Sequence, residues 1–445
     1  MFETIVALAT PSMRSALAIV RLSGDDCFKI VSKFFSKQIN IENVINNRIF
    51  HGYIKDNEEI VDEVVLLAYK NPHSFTGEDS VEIISHGSPL IFNKIIELAI
   101  KNGARMAERG EFTSRSYLHG KLDLIQAESV NDLINAETEE SKKISMMSLK
   151  GETSKLVAPL KTSLGDLLSL IEVNINYPEY TDIEEANSKK IIDVCSLNLD
   201  YINKLIKDGE KGKIIKDGIK IAIVGKPNVG KSSILNTLLG EEKAIVTDIK
   251  GTTRDVVEGK FILNGITVNI YDTAGIRESS DVIEKKGIMK SIETIKNADI
   301  VLAVFDSTSF DKEDKEILEI IKDKKHIIVY NKKDLLEKED ENDMRIYISA
   351  LNNDIEPLKI AILSLLGVEK ENYSNPSLNN AREIGILKSI KESLNKVLND
   401  AKNNVPVDLI NVYIQDAYLK VLSLTGEDHD FDIAKEIFSR FCLGK

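Results

Sequence analysis

The sequence predicts a multidomain chain of mixed class, with α/β and all-α parts. Residues 1–119, and a second region from residue 219 to about 370, alternate apolar runs of strand length with helical stretches. The segments after these two regions carry apolar residues at helical spacing instead. We therefore expect an N-terminal α+β domain and a helical domain that is split by an inserted α/β domain. The sheet of the inserted domain should be doubly wound and mostly parallel.

The composition is that of an ordinary water-soluble protein. The 445 residues suffice for two or three domains. No uninterrupted apolar run reaches the about 18 residues of a transmembrane helix, and the start, MFETIVALATPSMR, lacks the basic and apolar regions of a signal peptide. Cys27, Cys195 and Cys442 are too widely spaced for a disulfide framework or a zinc motif. We expect a cytoplasmic protein without a membrane segment.

The chain is acidic, with a net charge of −13. Broad nucleic-acid binding draws most of its affinity from Lys and Arg side chains that neutralise phosphates, so this balance argues against it. We expect any contact with RNA to be local and assisted by a partner.

The N-terminal domain, residues 1–119, has alternating strand and helix patterns. Strands are predicted at LAIVRLS, EVVLLAY and SVEIIS, and helices at FKIVSKFF and PLIFNKIIELAIKNG. This alternation is typical of a small α/β or α+β domain.

Two helical parts flank the inserted domain, the first over residues 120–215 and the second over residues 371–445. The first has one apolar face made of Leu156, Val157, Leu160, Leu164, Leu167, Leu168 and Ile171, and another made of Ile192, Cys195, Leu199, Ile202 and Ile206. The second has faces made of Leu387, Ile390, Leu394 and Leu398, and of Ile410, Tyr413, Ile414, Ala417, Val421 and Leu424. Neither part can bury its faces alone, so we infer that they pack together. Cys195 is interpreted as a small core residue.

The inserted domain, residues 216–370, has strands predicted at KIAIVG, ITVNIYD, DIVLAVFD, HIIVY and RIYIS. The Asn264-Gly265 pair lies between two strand-like runs and favours a two-residue hairpin. We therefore expect one antiparallel edge strand. An insertion of this kind is tolerated because the two ends of a domain often lie close together.

A phosphate-binding loop is predicted at the start of the inserted domain. Residues 225–232, GKPNVGKS, fit G-x-x-x-x-G-K-[ST] between the strand KIAIV and the helix SSILNTLL. The glycines let backbone N–H groups surround phosphates, and the helix N-terminus favours their negative charge. Lys231 would reach the β- and γ-phosphates, and Ser232 would bind Mg²⁺.

Further motifs follow in the order of a nucleotide-binding domain. The threonines of KGTTRD, Thr252 and Thr253, offer a loop hydroxyl for Mg²⁺. The motif DTAG follows the strand ITVNIY, where Asp272 would act through the metal and the N–H of Gly275 would reach the γ-phosphate.

Two motifs are predicted to bind the nucleotide base: NKKD, residues 331–334, and Ser349-Ala350. Each follows a predicted strand. The Asp334 carboxylate can accept hydrogen bonds from guanine N1 and the exocyclic amine, a pair of donors that adenine lacks. Five elements in the right order, each at a strand end, predict GTP with Mg²⁺.

The residue after DTAG is Ile276, where many switch GTPases carry the glutamine that orients the attacking water. Ile276 cannot do so. Candidate replacements are the arginines Arg254 and Arg277, as arginine fingers, and a nearby carboxylate: Asp255, Glu278, Asp281 or Glu284. A further alternative is a monovalent cation held by Asn228 and by oxygens of the loop VTDIKGTT, which would supply positive charge beside the phosphates.

With these motifs in view, the chain resembles the bacterial tRNA-modification GTPases called MnmE or TrmE over essentially its whole length. The motifs are IVRLSG, NPHSFTGEDSVEIISHG, ERGEFTSRSYLHGKLDLIQAE, AIVTDIKGTTRD and the ending FCLGK. The resemblance implies a P-loop GTPase domain, called the G domain, inserted into the split helical domain. It also implies that the N-terminal domain is similar to folate-binding aminomethyltransferases.

The resemblance further implies a homodimer that forms through the N-terminal domains. The two G domains of this dimer would meet during turnover. The implied partner is the FAD-binding protein MnmG (GidA), so that FAD enters only through the partner. Together they would form an aminomethyl or carboxymethylaminomethyl group on carbon 5 of the wobble uridine of tRNA. A reduced folate, 5,10-methylene-tetrahydrofolate or 5-formyl-tetrahydrofolate, would occupy the folate site, and the methylene form would supply the one-carbon unit.

Carried over position by position, the resemblance makes Glu284 the residue that positions the water. Potassium, held by Asn228, Thr247, Ile249 and Thr252, would offset transition-state charge, and Ser232 and Thr253 would bind Mg²⁺. With the motifs above, the predicted nucleotide-binding residues are Asn228, Val229, Gly230, Lys231, Ser232, Ser233, Thr247, Asp248, Ile249, Lys250, Gly251, Thr252, Thr253, Asp272, Thr273, Ala274, Gly275, Asn331, Lys332, Asp334, Ser349 and Ala350. Lys231 and Glu284 are the predicted catalytic residues.

The resemblance also implies a folate site made of Arg21, Glu82, Lys121 and Lys445. Basic groups suit the glutamate tail of a folate, and an acidic group suits the pterin. Cys442 matches the family cysteine, which is either a nucleophile or a thiol that merely lies near the folate.

Two hypotheses of function follow. The first is a potassium-activated GTPase that is half of a tRNA wobble-uridine modifying complex. The second is a GTP-gated switch for RNA binding or ribosome assembly without base chemistry. The folate-type N-terminal domain and the CLGK ending favour the first, because a switch needs neither.

Overall fold

A computed structural model describes residues 3–37, 47–177, 185–241, 259–272, 293–336, 345–428, 431–439, 441–442 and 444 of the 445-residue chain. The chain divides into two compact units. The first unit comprises Met1–Ile134, Met147–Leu199 and Ser389–Lys445, and the second comprises Asn135–Met146 and Asp200–Lys388.

The first unit contains a six-stranded sheet in the order β3-β4-β5-β2-β1-β6. Its neighbours are antiparallel, except that β1 and β6 run parallel. The strands are β1 (Ile5–Leu8), β2 (Leu17–Ser23), β3 (Arg48–Asp56), β4 (Glu59–Tyr69), β5 (Ser80–His86) and β6 (Arg105–Met106). The three strands predicted in this region are confirmed.

In the described part of this region, the sheet is accompanied by helices α1 (Cys27–Ser32), α2 (Pro89–Lys101) and α3 (Glu111–Leu118). Helix α2 begins with a proline, which the first turn of a helix tolerates, and buries Phe92, Ile95 and Leu98. These side chains join the alternate apolar residues of β2, β4 and β5 in one core. The alternation seen in the sequence is therefore the alternation between the core face and the other face of the sheet.

The described residues of the two helical parts form helices of 9 to 30 residues. They are α4 (Leu124–Asn135), α5 (Glu139–Leu149), α6 (Ala158–Asn176), α7 (Ser188–Asp217), α11 (Ala381–Lys402), α12 (Val407–Thr425) and α13 (Phe431–Ser439), with a 3₁₀ turn at Ser154–Leu156. Helix α6 packs against α12, so the predicted packing of the two helical parts is confirmed for this pair. Cys195 is fully buried, as predicted.

The second unit contains a six-stranded sheet in the order β12-β11-β10-β7-β9-β8. Its strands are β7 (Ile219–Val224), β8 (Gly259–Leu263), β9 (Ile266–Asp272), β10 (Ile300–Asp306), β11 (His326–Asn331) and β12 (Ile346–Tyr347). All neighbours are parallel except β8 and β9. Strand β12 is shorter than the predicted run RIYIS. This part also contains helices α8 (Lys231–Glu241), α9 (Lys312–Ile321) and α10 (Glu356–Leu366) and 3₁₀ turns at Lys333–Leu335 and Lys370–Tyr373.

The predicted hairpin is confirmed between β8 and β9. Asn264 and Gly265 have φ angles of 51° and 81°, as a two-residue turn of this type requires. Across the described ranges, none of the helices is both long and apolar enough for a membrane span.

Candidate functional site

The phosphate-binding loop connects the end of β7 to the start of α8. Asn228 and Gly230 both have positive φ angles, 65° and 95°. A Cβ atom at Gly230 would lie 2.1 Å from Nδ2 of Asn331, so only glycine fits there. The loop therefore has the tight backbone that lets N–H groups face an anion at the N-terminus of α8.

Lys231, the first residue of α8, is folded over this loop. Its Nζ donates hydrogen bonds to the carbonyl oxygens of Gly225 (2.9 Å) and Lys226 (2.7 Å). The side chain is buried, whereas Ser232 and Ser233 beside it are exposed. An ammonium group and two hydroxyls are thus present at the helix end, where a phosphate and its metal would lie.

Asn331, at the end of β11, joins the other predicted motifs to the loop. Its Nδ2 donates to the carbonyl of Val229 (2.9 Å), and its Oδ1 accepts from the N–H of Ala350 (3.1 Å). Asn331 is buried. The structure therefore brings the phosphate-binding loop, NKKD and Ser349-Ala350 together around one buried amide.

The base end of the site contains Asp334 and Lys332. Asp334 is exposed, and its carboxylate accepts a hydrogen bond from the hydroxyl of Ser349. Lys332 has a φ angle of 66°, and its Nζ lies 2.6 Å from Oδ2 of Asp306. A second hydrogen bond, from Thr237 in α8 to the carbonyl of Ala350 (3.1 Å), holds the 349–350 loop against the helix that begins with Lys231.

Several predicted residues lie outside the described part of the chain. These are Thr247, Asp248, Ile249, Lys250, Gly251, Thr252, Thr253, Thr273, Ala274, Gly275, Glu284 and Lys445, together with Ile276. The backbone of Asp272 ends β9, which pairs with β7 through Asp272 and Ile223, one residue before the end of β7. Among the described residues, no group of three His, Cys, Asp or Glu side chains could hold a metal ion.

Four residues of this region were missed by the sequence reasoning. Lys226 forms ion pairs with Asp311 and Asp314, and Asp306 forms one with Lys332. Asp306 ends a strand in the same way as the predicted Asp272 and Asn331, and this position in the sequence could have identified it. The partners of Lys226 lie more than eighty residues away along the chain, and no local sequence pattern indicates this pairing.

The predicted folate residues lie in the first unit. Arg21 on β2 and Glu82 on β5 are opposite each other, and NH2 of Arg21 lies 2.7 Å from Oε1 of Glu82. The guanidinium also lies over the rings of Phe75 and Phe112, 5.8 and 5.6 Å from their centroids. Burial, and then the nearby charge of Glu82, raise the pKa of Tyr69.

Lys121 lies on the loop before α4, and its Nζ donates to the carbonyl of Pro72 (3.0 Å). Its side chain is exposed. The loop that contains Pro72 is anchored by Glu78, whose buried carboxylate accepts hydrogen bonds from Arg115 (2.9 Å) and from Ser23 (2.7 Å). Sequence reasoning missed this buried pair.

The C-terminal segment approaches the same sheet. Phe441 is buried with Phe438 and Leu124, and the N–H of Gly110 donates to the carbonyl of the exposed Cys442 (3.4 Å). Gly444 has a φ angle of 89°, and a Cβ there would lie 2.3 Å from the carbonyl oxygen of Leu8. Leu8 belongs to β1, which pairs with the Arg21 strand β2, so the chain end lies beside the strands of the candidate folate site.

Two family models match the chain. "GTP-binding protein TrmE N-terminus" matches residues 4–121, and "MnmE helical domain" matches residues 124–442. Among curated relatives, "tRNA modification GTPase MnmE" of Thermotoga petrophila is 41% identical over 100% of both chains. The protein of the same name from Mesoplasma florum is 42% identical over 100% of this chain and 99% of its own.

Several solved structures resemble a part of the chain. A variant of Era from Aquifex aeolicus, bound to GDP and aluminium fluoride, is 28% identical, with a TM-score of 0.27. The match covers 39% of this chain and 66% of the Era chain. The G domain of the FeoB iron transporter of T. maritima is 30% identical over 33% of this chain and 98% of its own, with a TM-score of 0.26.

Proposed function

This chain belongs to the MnmE family of tRNA modification GTPases, and from that membership we propose that it is a potassium-activated GTP hydrolase that modifies the wobble uridine of tRNA. It is a GTPase that acts in tRNA modification, and its nucleotide is GTP or GDP. In the proposed reaction it forms 5-aminomethyl or 5-carboxymethylaminomethyl uridine. The FAD-binding protein MnmG is the proposed partner, and methylene-tetrahydrofolate is the proposed one-carbon donor.

The observation that carries the nucleotide part is the link made by Asn331. One buried amide binds both the phosphate-binding loop, through Val229, and the base loop, through Ala350. This supports the assignment of the base to Asp334 and of the phosphates to Lys231. A guanine that donates from N1 and its exocyclic amine would meet the Asp334 carboxylate.

The donor groups present fit the proposed Mg²⁺ site. The hydroxyl of Ser232 is exposed at the first turn of α8, and oxygen donors of this kind are what Mg²⁺ prefers. Thr253, outside the described residues, is the second proposed ligand. Bound Mg²⁺ would neutralise charge on the β- and γ-phosphates. Lys231 would hold the same phosphates with its ammonium, which has three donors and uses two of them on the loop carbonyls of Gly225 and Lys226.

Asn228 fits the proposed potassium site, because it is exposed in the phosphate-binding loop and carries an amide oxygen. Thr247, Ile249 and Thr252 are the other proposed ligands. A potassium ion there would offset the negative charge that develops in the transition state, as an arginine finger does elsewhere. Glu284 would orient the attacking water. The proposed meeting of two G domains in a homodimer would order the loop that holds the ion.

The hydrolysis rate in KCl against NaCl at equal ionic strength tests this proposal. We expect strong dependence on potassium and a large loss of rate in Glu284→Ala with unchanged nucleotide affinity. Glu293→Ala alters an exposed carboxylate further along the sequence; it is the control and should keep the wild-type rate. Equal rates in the two salts would contradict the potassium proposal. An unaffected Glu284→Ala variant would mean that Arg254, Arg277 or a partner supplies catalysis instead.

The proposed folate site takes Arg21, Glu82, Lys121 and Lys445, with Cys442 close to it. The pairing of Arg21 with Glu82 and the approach of the C-terminal segment to β1 support it. Lys121 is exposed and can bind an acidic tail of the ligand, while Glu82 and Tyr69 offer hydrogen-bonding groups to a polar ring.

Folate binding also separates the two hypotheses, because a switch without base chemistry needs no reduced folate. We expect the purified protein to bind 5-formyl-tetrahydrofolate, and Glu82→Ala and Lys121→Ala to weaken this binding about tenfold or more, the loss of one charge-assisted contact. Equilibrium dialysis measures the affinity, and Glu97→Ala, an exposed carboxylate on α2, is the control. Unchanged affinity in both variants would show that the site is assigned to the wrong residues. No binding at all would favour the switch.

A further inference from the structure

A segment between the two ends of the nucleotide site belongs to none of the predicted motifs. Residues 306–314, the bridging segment, lead from β10 into α9. At its start, Asp306 pairs with Lys332 (2.6 Å), and the N–H of Ser307 donates to the carbonyl of Asn331 (2.9 Å). At its other end, this segment contacts the phosphate-binding loop. The bridging segment therefore touches both NKKD and the loop that surrounds the phosphates.

The contact with the phosphate-binding loop is made by Lys226. Its Nζ lies 2.7 Å from a carboxylate oxygen of Asp311 and 2.7 Å from one of Asp314. The Asp314 side chain is fully buried, and that of Lys226 is 15% exposed. Hydrogen bonds to Asp311 and then Asp314 raise the pKa of Lys226, so the ammonium is charged. Breaking a buried pair by removing one partner is costly, because it leaves the other charge uncompensated.

The two aspartates are themselves fixed at the start of α9. The Asp311 side chain accepts hydrogen bonds from the N–H groups of Glu313 and Asp314, and the Asp314 side chain accepts one from the N–H of Asp311 (2.9 Å). This reciprocal arrangement caps the helix and holds both carboxylates in place. Lys226 is thus paired with rigid partners.

The backbone of Lys226 is tied to Lys231. Its carbonyl oxygen accepts a hydrogen bond from Nζ of Lys231 at 2.7 Å. The same residue is therefore held by its side chain to the bridging segment and by its carbonyl to the lysine that would bind the phosphates. A shift of residue 226 would move the acceptor that places the Lys231 ammonium.

We propose that Lys226 is a positioning residue of the nucleotide site, which fixes the phosphate-binding loop through its ion pairs with Asp314 and Asp311. Lys226 does not touch the nucleotide in this role. It acts through the loop backbone and Lys231, so its loss should weaken phosphate binding and leave base recognition by Asp334 unchanged. The inference rests on the proposed nucleotide site.

Nucleotide affinities of the full-length protein test this inference. We expect Lys226→Met to weaken binding of fluorescent GDP and GTP about tenfold, which is the loss expected if the displaced loop costs Lys231 one charge-assisted hydrogen bond to a phosphate. The ratio of affinities for GDP and IDP, which lacks the exocyclic amine, should stay at the wild-type value. Lys226→Arg should restore affinity to within about twofold, because arginine keeps the ion pair with carboxylates. Lys315→Met, an exposed lysine on α9, is the matched control.

Asp314→Asn provides a second, independent variant. The asparagine oxygen can still accept the hydrogen bond from Asp311 N–H, so the helix cap is kept and only the charge is removed. It should weaken GDP binding in the same direction as Lys226→Met, and it replaces that variant if the latter does not fold.

Three outcomes would overturn the inference: wild-type GDP affinity in Lys226→Met or Asp314→Asn, a changed GDP-to-IDP ratio, or no rescue by arginine. The Lys231→Ala variant tells whether only the positioning role of Lys226 is wrong or the proposed nucleotide site itself. If Lys231→Ala loses GDP affinity and Lys226→Met does not, only the positioning role is wrong. If Lys231→Ala binds GDP normally, the nucleotide site itself is misassigned.

Discussion

Asn331 and Asp334, three residues apart, have different surroundings at the base end of the nucleotide site. Asn331 is buried, and its amide is engaged by the backbone of Val229 and Ala350. Asp334 is exposed and receives a hydrogen bond from Ser349. The first residue therefore holds the loops together, and the second is available to a ligand.

Asp334→Asn should shift nucleotide preference from guanine toward xanthine. An asparagine can donate a hydrogen bond where the carboxylate accepted one, and xanthine presents an oxygen at the position of the exocyclic amine of guanine. Competition between GTP and XTP measures the change. Asp323→Asn, an exposed carboxylate outside the site, should leave the preference unaltered. An Asp334→Asn protein that still prefers GTP as the wild type does would show that another group recognises the base.

For single residues, the sequence predicts those that act within a motif, but it does not predict those that act through ion pairs with residues far along the chain. Lys231 and Asp334 are found because their spacing to neighbouring motif residues is fixed by a loop or a strand end. Lys226 lies inside the same motif, but its role depends on Asp311 and Asp314, which only the fold brings to it. The Arg115–Glu78 pair was missed for the same reason.

Among the structural elements, the long helices follow the apolar pattern closely, and on them the errors are errors of phase. On α7, helical spacing predicts Ile192 and Ile206 on the buried face, whereas the structure buries Ile191 and Leu205. Neighbouring residues on a helix differ by about 100° in direction, so two adjacent apolar side chains compete for one face. The tertiary neighbours of the helix decide this competition, and they are not visible in its own sequence.

The junction of β6 and α3 is held by charged side chains. Arg105 on β6 donates two hydrogen bonds to the carboxylate of Glu111 (2.8 and 2.6 Å), and Arg115 donates a third at 2.9 Å. Burial alone would raise the pKa of Glu111, but hydrogen bonds from Arg105, from the N–H of Glu108 and from Arg115 outweigh it and lower the pKa. The folded protein therefore favours the ionised carboxylate.

This junction should make stability depend on pH in a defined direction. Because the folded pKa of Glu111 is below the unfolded value of about 4.3, its stabilisation is fully present above that pH and is lost as the pH falls through the folded pKa. Glu111→Gln should therefore unfold at a lower temperature than the wild type at pH 7. The difference should shrink on acidification below about pH 4.3. Thermal unfolding followed by circular dichroism measures both.

The control for this prediction is Glu97→Gln, which alters a carboxylate that is mostly exposed and pairs with Lys94. Exposed pairs of this kind contribute little, so its unfolding temperature should stay near that of the wild type at both pH values. A difference between Glu111→Gln and the wild type that stays constant as the pH falls would mean that the carboxylate charge is not the stabilising feature.

For the whole molecule, the predicted class is confirmed: a G domain inserted into a split helical domain after an α+β domain. The limits of the two compact units lie within continuous helices, between Leu199 and Asp200 in α7 and between Lys388 and Ser389 in α11. Helical periodicity runs unbroken through both places. A limit set by contacts rather than by a loop leaves no mark in the sequence, so the predicted boundaries 216 and 370 stay predictions.

The isolated segment 216–370 should fold and bind GDP and GTP. Its core includes Ile223, Phe261, Val304 and Ile362, all inside the segment, as are the contacts of Asn331. It lacks Tyr373, whose hydroxyl donates to the carbonyl of Asn264 (3.0 Å) in the β8–β9 turn. We therefore expect it to be less stable than the longer segment 200–388 but equal in nucleotide affinity. Isothermal titration with GDP compares the two.

Comparing segments 216–370 and 200–388 tells whether the predicted domain boundaries are wrong or the nucleotide site is. If segment 216–370 is insoluble while segment 200–388 binds GDP, the assignment of the nucleotide site is correct. The helical ends of the second unit are then required for the G domain to fold. If both are folded and neither binds GDP, the site described here does not bind guanine nucleotide by itself. In that case residues of the first unit, or a second copy of the chain, must complete it.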